Sequence, residues 1–185
     1  MLKARPGKNE AVVNALIAGA TKHGLDPMMI LTFMAIESNY NPTICNRFTS
    51  AAGLFQFIDS TWAAVGGPKF PGRGGPGKGQ AAGASVATQV ELGCRFTRSN
   101  MNQLKAKLGL DPNPTRIYMA HQQGIGGALA ILGANEKTPN ARIESVIKPE
   151  AARLNGFAGL TVAQTVAKFA ALVQKKAAVA KDQVI

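Results

Sequence analysis

Asp26–Asn41 carries the sequence Asp-Pro-Met-Met-Ile-Leu-Thr-Phe-Met-Ala-Ile-Glu-Ser-Asn-Tyr-Asn, and it dominates the folding pattern of the chain. Asp26 is suited to cap a helix whose first turn begins at Pro27, where a missing backbone N–H costs nothing. The residues that follow are apolar except for Thr32. Because a helix that is apolar all round belongs inside a domain, the sequence predicts a buried central helix.

Glu37 comes at the end of this helix, and Pro42 prevents the helix from continuing. A carboxyl group carried from a buried helix into a polar turn loses part of its hydration, which favours its protonated form. A protonated glutamic acid can donate its proton to a leaving group. Glu37 is therefore a candidate general acid. The alternative is that Glu37 is the first solvated residue after a core helix, and this segment alone does not choose between the two.

The composition is that of a globular protein with a strong positive charge. The chain has 185 residues, 46% of them hydrophobic, which favours one domain over residues 1–185. Lys and Arg number 21 against 10 Asp and Glu, giving a formal net charge of +11. This excess predicts attraction to nucleic acid, an anionic membrane or a bacterial envelope. No apolar run is long enough to span a membrane, and we expect no secretory signal.

The two cysteines, Cys45 and Cys94, do not have the spacing of a metal site. No histidine or further cysteine lies near enough in sequence to complete a ligand set. The sequence therefore predicts neither a metal nor a cofactor. In a chain without an export signal, two free buried thiols are favoured over a disulfide.

Two segments after the central helix lack helical periodicity. In Ala51–Ile58 apolar and polar residues partly alternate, which predicts a short strand or hairpin. Gly66–Gly83 is too rich in Gly and Pro for a regular element, and Lys69, Arg73 and Lys78 make it basic. Two interpretations of this segment remain open, a mobile basic loop bordering a cleft and a plain surface excursion.

Apolar residues at helical spacing predict a long helix from Ser85 to about Leu108. Glu91 on this helix is either a second active-site carboxylate or a solvated residue. A later helix contains Tyr118 and His121, which lie three residues apart and therefore share a face. A phenol and an imidazole that project together can position a sugar or a water.

The last helix is predicted over residues 161–181. Thr161 and Gln164 form a capping-box pattern at its start. An apolar stripe and several charges follow: Val162, Val166, Phe169 and Val173, and Lys168, Lys175, Lys176 and Lys181. One interpretation is a helix packed onto the core. The other is a cationic amphipathic helix that binds an anionic outer-membrane or lipopolysaccharide surface.

Three segments together resemble the lysozyme-like lytic transglycosylases, a group that includes goose-type-like muramidases. Glu37–Pro42 is similar to their Glu-Ser motif. Ala52–Phe57 is similar to their Gly-Leu-Met-Gln motif, with phenylalanine in place of methionine. Tyr118–Gly124 is similar to their Ala-Tyr-Asn-x-Gly segment, with His121 where tyrosine is usual. This Tyr-x-x-His variant looks closest to phage endolysins of the transglycosylase type, here reduced to the catalytic domain.

The resemblance implies a mainly helical, α+β lysozyme-like domain around the buried helix, with a small β-hairpin beside the active-site cleft. It implies that Glu37 is the catalytic acid and that Ser38 holds its carboxyl group by a hydrogen bond. The other site residues that it implies contact the substrate: Phe55, Gln56, Tyr118, His121 and Gln122.

Cleavage of a glycosidic bond needs an acid and a group that stabilises or traps the oxocarbenium-like centre. Thr43–Ile58 contains no Asp or Glu, so Glu37 would act largely alone, as acid and then as base. The C6 hydroxyl of the substrate would then attack and leave a 1,6-anhydro-muramyl end, as the resemblance implies. His121 leaves a hydrolytic outcome open, because a neutral imidazole can also activate water.

The resemblance implies an enzyme that cuts the β-1,4 bond between N-acetylmuramic acid and N-acetylglucosamine in peptidoglycan and so lyses bacteria. We expect a monomeric phage endolysin that binds glycan strands and not nucleic acid, made in the host cytoplasm and then released to the cell wall. A virion-associated wall-penetrating muramidase is an alternative with the same chemistry. A non-catalytic basic protein that binds the wall or nucleic acid is an alternative of a different class.

Overall fold

Helices make up most of the fold in a computed structural model of the chain, in which residues 2–109 and 112–185 are described. The α-helices are α1 (Glu10–Lys22), α2 (Pro27–Glu37), α3 (Asp59–Ala64), α4 (Val86–Leu108), α5 (Pro114–Lys137), α6 (Pro149–Leu154) and α7 (Val162–Lys181). Two short 3-10 helices span Gln80–Gly83 and Ile143–Ser145. The prediction of a mainly helical fold is confirmed.

The chain forms two compact units. One consists of Met1–Arg98 together with Lys175–Ile185, and the other consists of Ser99–Gln174. Glu37 and the Ala52–Phe57 segment belong to the first unit, and the Tyr118–Gly124 segment belongs to the second.

Helix α2 is the buried helix that the sequence predicts. The Asp26 side chain caps it by accepting a hydrogen bond from the Met28 N–H at 2.9 Å, and Pro27 occupies its first turn. Every residue from 29 to 35 is buried, Thr32 included, because the Thr32 hydroxyl donates to the Met28 carbonyl oxygen at 2.7 Å. Helix α1 packs against α2 with its own apolar face. Together these helices form the centre of the first unit.

Two glycines allow α4 to pack closely within the first unit. A Cβ atom on Gly19 of α1 would lie 2.3 Å from Val90 Cγ1, and a Cβ atom on Gly93 would lie 2.2 Å from Phe55 Cε2. Real Cβ atoms do not approach carbon this closely, since packed carbons lie about 3.5–4.0 Å apart. Gly93 therefore provides the space that the Phe55 ring occupies against α4.

The hairpin predicted for Ala51–Ile58 is reduced to isolated antiparallel bridges, from Cys45 to Ala52 and from Ala52 to Phe57. The chain reverses between the last two residues in a tight turn, in which Gly53 has φ 73° and Gln56 has φ 47°. So tight a reversal leaves room for one bridging pair at its base. The β-structure beside α2 is therefore a turn and not a pair of strands.

The Gly- and Pro-rich segment is irregular, as predicted, but it is anchored at several points. The Asp59 carboxylate accepts hydrogen bonds from the Gly75 N–H at 2.7 Å and from the Gln80 N–H at 2.8 Å. The Gly77 N–H donates to the Asn46 carbonyl oxygen at 2.8 Å. Asp59 therefore holds the loop in place.

In the second unit, α5 is interrupted at Gly124. Asn113 caps its start by accepting from the Arg116 N–H at 3.0 Å. At Gly124 the backbone has φ 70° and ψ 163°, which is not helical and which a residue with a side chain rarely adopts. The segment with Tyr118 and His121 therefore ends at this glycine.

Helix α7 has the predicted capping box. The Thr161 N–H donates to Gln164 Oε1 at 2.8 Å, and the Gln164 N–H donates to Thr161 Oγ1 at 3.1 Å. Its apolar stripe is covered by protein, since Phe169 is 2% exposed and Val173 is 8% exposed. This burial favours packing over membrane contact, because an interfacial helix needs a free apolar face. No helix in the described part of the chain is long and apolar enough to cross a bilayer.

Both cysteines are free thiols, as predicted. Cys94 is buried on α4, and this burial, with the nearby Glu91 charge as a second cause, raises its pKa to about 12. Cys45 is only half-buried.

Candidate active site

Glu37 is the last residue of α2 and is half-buried, at the start of a constrained turn. The turn contains two consecutive non-glycine residues in the left-handed region, Asn39 with φ 48° and Tyr40 with φ 65°. Such residues cost about 1–3 kcal/mol each and persist only where the surroundings hold them, most often at functional sites.

The buried side chain of Tyr40 holds this turn in place. Its side chain is 2% exposed, and its hydroxyl donates to the Leu31 carbonyl oxygen at 3.0 Å. Burial raises the Tyr40 pKa well above its usual value, so the phenol keeps the proton that it donates. The ring thereby fixes the chain that follows Glu37 against α2.

The Ser38 hydroxyl does not donate a hydrogen bond to the Glu37 carboxylate, as the resemblance implies that it should. Its side-chain oxygen donates to the Met34 carbonyl oxygen, four residues earlier, at 3.3 Å. Ser38 is 4% exposed and its backbone N–H also donates to Met34. Since a hydroxyl has one proton, the hydrogen bond expected from Ser38 to the Glu37 carboxylate is replaced by a bond that closes the end of α2.

Gln56 lies in the tight turn of the first unit. Its side-chain Nε2 donates to the Gly53 carbonyl oxygen at 2.9 Å, and its backbone N–H donates to the same oxygen at 3.2 Å. The side chain is half-buried. The turn thus holds the amide of Gln56 in one orientation, which suits a residue that positions substrate.

Phe55 does not have the substrate-binding role that the resemblance implies. Its side chain is 1% exposed and stacks on Phe57 with ring centroids 5.7 Å apart. Atoms at one edge of the ring lie close to Gly93 of α4. Phe55 therefore anchors the turn in the core, and the turn presents Gln56.

Gln89 connects the two turns, and the sequence analysis did not identify it. This side chain of α4 is 2% exposed. Its Oε1 accepts from the Leu54 N–H at 2.7 Å, and its Nε2 donates to the carbonyl oxygens of Pro42 at 3.0 Å and Ala84 at 2.9 Å. One amide therefore joins the chain that leaves Glu37 to the turn that carries Gln56.

The second unit contains the remaining predicted site residues, all on α5. The rings of Tyr118 and His121 are stacked, with centroids 6.1 Å apart and an angle of 12° between their planes, so the shared face is confirmed. Tyr118 is 1% exposed and also packs edge-on against Phe169. The buried Tyr118 ring contributes to packing, while His121 is half-buried and Gln122 is exposed.

Gln122 also lines a small cavity of about 140 Å³ in the second unit. Phe157 and Phe169 form its apolar wall, and Asn155 and Lys168 contribute polar groups. The Lys168 ammonium group donates to the Gly156 carbonyl oxygen at 2.6 Å, so it is held at the edge of this cavity.

Glu91 forms ion pairs with residues at the end of α1. These contacts support the interpretation of Glu91 as a solvated residue and not as a second active-site carboxylate. Lys22 Nζ lies 2.8 Å from Glu91 Oε2, and His23 Nε2 lies 3.2 Å from Glu91 Oε1. The hydrogen bond from Lys22, followed by that from His23, lowers the Glu91 pKa. In the described ranges, no three His, Cys, Asp or Glu side chains are grouped so that they could hold a metal ion.

A comparison with models of protein families shows which family the chain belongs to. The model of the transglycosylase SLT domain matches residues 14–126, which is more than half of the sequence. The match includes the Glu37 turn, the Gln56 turn and the Tyr118–Gly124 segment. Members of this family are peptidoglycan lytic transglycosylases, which are glycosidase-type enzymes. The chain belongs to the transglycosylase SLT domain family and is a glycosidase-type enzyme that acts on peptidoglycan.

Proposed function

We propose that the protein cleaves the β-1,4 bond between N-acetylmuramic acid and N-acetylglucosamine, with Glu37 as the proton donor. The observation that carries this proposal is the position of Glu37, half-buried at the end of the buried helix α2. The turn that follows it is strained and is held by Tyr40. A carboxyl group on so fixed a support can be presented to a substrate in one geometry.

The proposed reaction uses one carboxyl group twice. Glu37 donates its proton to the glycosidic oxygen as the bond from that oxygen to C1 of the muramic acid breaks. The Glu37 carboxylate then accepts the proton of the C6 hydroxyl while the C6 oxygen bonds to C1. This step forms a 1,6-anhydro ring, consumes no water and returns the proton to Glu37. Gln56 positions the sugar during these steps.

His121 supports a second outcome, in which water replaces the C6 hydroxyl as the nucleophile. A neutral imidazole can accept a proton from that water, and the product would then have a reducing end.

Mass spectrometry of the muropeptides released from purified peptidoglycan tests the proposal. We expect disaccharide-peptides that are lighter than the hydrolytic products by the mass of one water. Products of full mass with reducing ends would contradict attack by the C6 hydroxyl and support the water route. Glycan strands that remain intact would contradict glycosidase activity on this bond.

We further propose that the protein is a phage endolysin that reaches the wall from the host cytoplasm after the inner membrane is opened. The net charge of +11 supports this role, because the bacterial envelope is anionic. Lys175, Lys176 and Lys181 add charge near the C-terminus, although the apolar stripe of α7 is buried.

Expression in bacterial cells tests this role. We expect the turbidity of the culture to stay constant during synthesis and to fall after the inner membrane is permeabilised. Lysis without permeabilisation would contradict the proposed route. Detection of the protein in purified phage particles would favour the virion-associated alternative.

A further inference from the structure

The Gly- and Pro-rich loop forms one wall of an open cavity in the first unit, with a volume of about 550 Å³. Residues 71–73 and 77–78 line it on the side of the loop, and Thr43 and Cys45 line it on the other. Its volume falls in the range of about 300–1,000 Å³ that is usual for ligand sites. The residues that take part in the proposed cleavage reaction do not line this cavity.

The cavity has positive charge that is not neutralised by the protein. Arg73 and Lys78 both line it. Neither forms an ion pair with a carboxylate in the described part of the chain. The hydrogen bonds that the Arg73 guanidinium makes to described residues are long, to the Gly79 carbonyl oxygen at 3.5 Å and to Cys45 Sγ at 3.9 Å. The carboxylate oxygens of Asp59 accept the Gly75 and Gln80 N–H groups, and Asp59 forms no ion pair with Arg73 or Lys78 in the described part of the chain.

Hydrogen bonds hold the loop around Arg73 and Lys78 in one conformation. Gln80 accepts a hydrogen bond from the Phe70 N–H at 2.7 Å and donates to the Arg73 carbonyl oxygen at 2.5 Å. The Gly74 N–H donates to the Lys78 carbonyl oxygen at 2.7 Å. The backbone at both cations is therefore fixed before any ligand binds, which reduces the entropy cost of binding.

The opposite wall continues the chain that leaves Glu37. Asn41 Oδ1 accepts from the Thr43 N–H at 2.9 Å, and the Gly53 N–H donates to the Ile44 carbonyl oxygen at 2.9 Å. Gln89 holds the intervening Pro42. The cavity and the turns that carry Glu37 and Gln56 therefore share one hydrogen-bonded framework.

We propose that this cavity binds free carboxylate groups on the peptide side chains of peptidoglycan, an inference that rests on the proposed function. In peptidoglycan the peptide branches carry free carboxylates, whereas a lactyl carboxyl group of the glycan strand that bears a peptide forms an amide bond and has no charge. A guanidinium group suits a carboxylate because it can donate two parallel hydrogen bonds, and an ammonium group adds a point charge. The residues that line the cavity include no aromatic side chain, so the site offers no surface on which a nucleic-acid base would stack.

Neutralising both cations with the double substitution Arg73→Gln and Lys78→Gln tests this site. Two substrates are compared, purified peptidoglycan and the same peptidoglycan after its free carboxylates have been converted to carboxamides. We expect kcat/KM of the variant to fall about ten-fold below that of the wild type on the untreated substrate, as two partly exposed ion pairs would give, and to equal that of the wild type on the amidated substrate. Thermal unfolding verifies that the variant is folded.

The matched control neutralises Arg47 and Lys69, which are exposed and do not line the cavity. We expect this control variant to act on both substrates as the wild type does. On a DNA column, we expect both double variants to be retained less than the wild type and by the same amount as each other. Equal losses on the two substrates, or the same loss in the control, would overturn the inference. So would a loss of DNA retention confined to the cavity variant, because it would indicate a phosphate site. If the wild type cleaves neither substrate, the proposed function itself is wrong.

Discussion

Substitution of Glu37 by glutamine should lower kcat/KM on peptidoglycan by about 10²–10⁴-fold and leave the fold intact. Glutamine has the size and shape of glutamic acid but carries no acidic proton. Because Glu37 is proposed to act as acid and then as base, its loss removes both proton transfers, and we expect the upper end of this range. The rate at which soluble muropeptides are released measures the effect, and thermal unfolding measures the stability of the variant.

Glu91→Gln is the matched control, since it makes the same chemical change on the same unit. Glu91 pairs with Lys22 and His23 at the surface, where such pairs contribute less than about 1 kcal/mol to stability. We expect this variant to keep nearly all of its activity. If Glu37→Gln kept more than about a tenth of the wild-type rate, or if Glu91→Gln lost as much as Glu37→Gln, the acid would have to be another group.

Local sequence signals were sufficient to predict much of the helical framework. Asp26 and Pro27 define the start of α2, and the apolar residues that follow require its burial. Thr161 and Gln164 form the predicted capping box at the start of α7. These signals act over a few residues, so they can be interpreted without knowledge of the fold.

The orientation of individual side chains could not be predicted in this way. The motif resemblance locates Phe55 in the correct turn but does not show which way its ring points. Its burial depends on Gly93, almost forty residues later, which leaves space for the ring. Likewise, the motif does not show which acceptor the Ser38 hydroxyl uses. Packing at the end of α2 selects the Met34 carbonyl oxygen.

Gln89 illustrates the same limit at a residue on which the candidate site depends. On α4 it has no local feature that distinguishes it from a solvated glutamine such as Gln103. Its three partners are Leu54, Pro42 and Ala84, and the first two lie 35 and 47 residues away. A polar residue with distant partners becomes recognisable only once the tertiary structure is known.

Substitution of Gln89 by methionine should lower the free energy of unfolding by about 3 kcal/mol or more. Methionine fills a similar volume but leaves the buried Leu54 N–H and the part-buried carbonyl oxygens of Pro42 and Ala84 without their partner, and a buried group left in this way costs about 1–3 kcal/mol. Because Gln89 joins the Glu37 turn to the Gln56 turn, we also expect kcat to fall about ten-fold or more at a temperature where the variant is fully folded. Denaturant unfolding and steady-state kinetics measure the two effects.

Gln103→Met makes the same change on an exposed part of α4, where the side chain bonds only to Ser99, and should be nearly neutral in both measurements. The split between kcat and KM then separates positioning from simple stabilisation. A misaligned turn impairs the proton transfer itself, so kcat should fall while KM changes little. A Gln89→Met variant that unfolds more easily but keeps the wild-type kcat would show that the amide only stabilises the fold. Unchanged stability would show instead that the three hydrogen bonds contribute nothing to the stability of the fold.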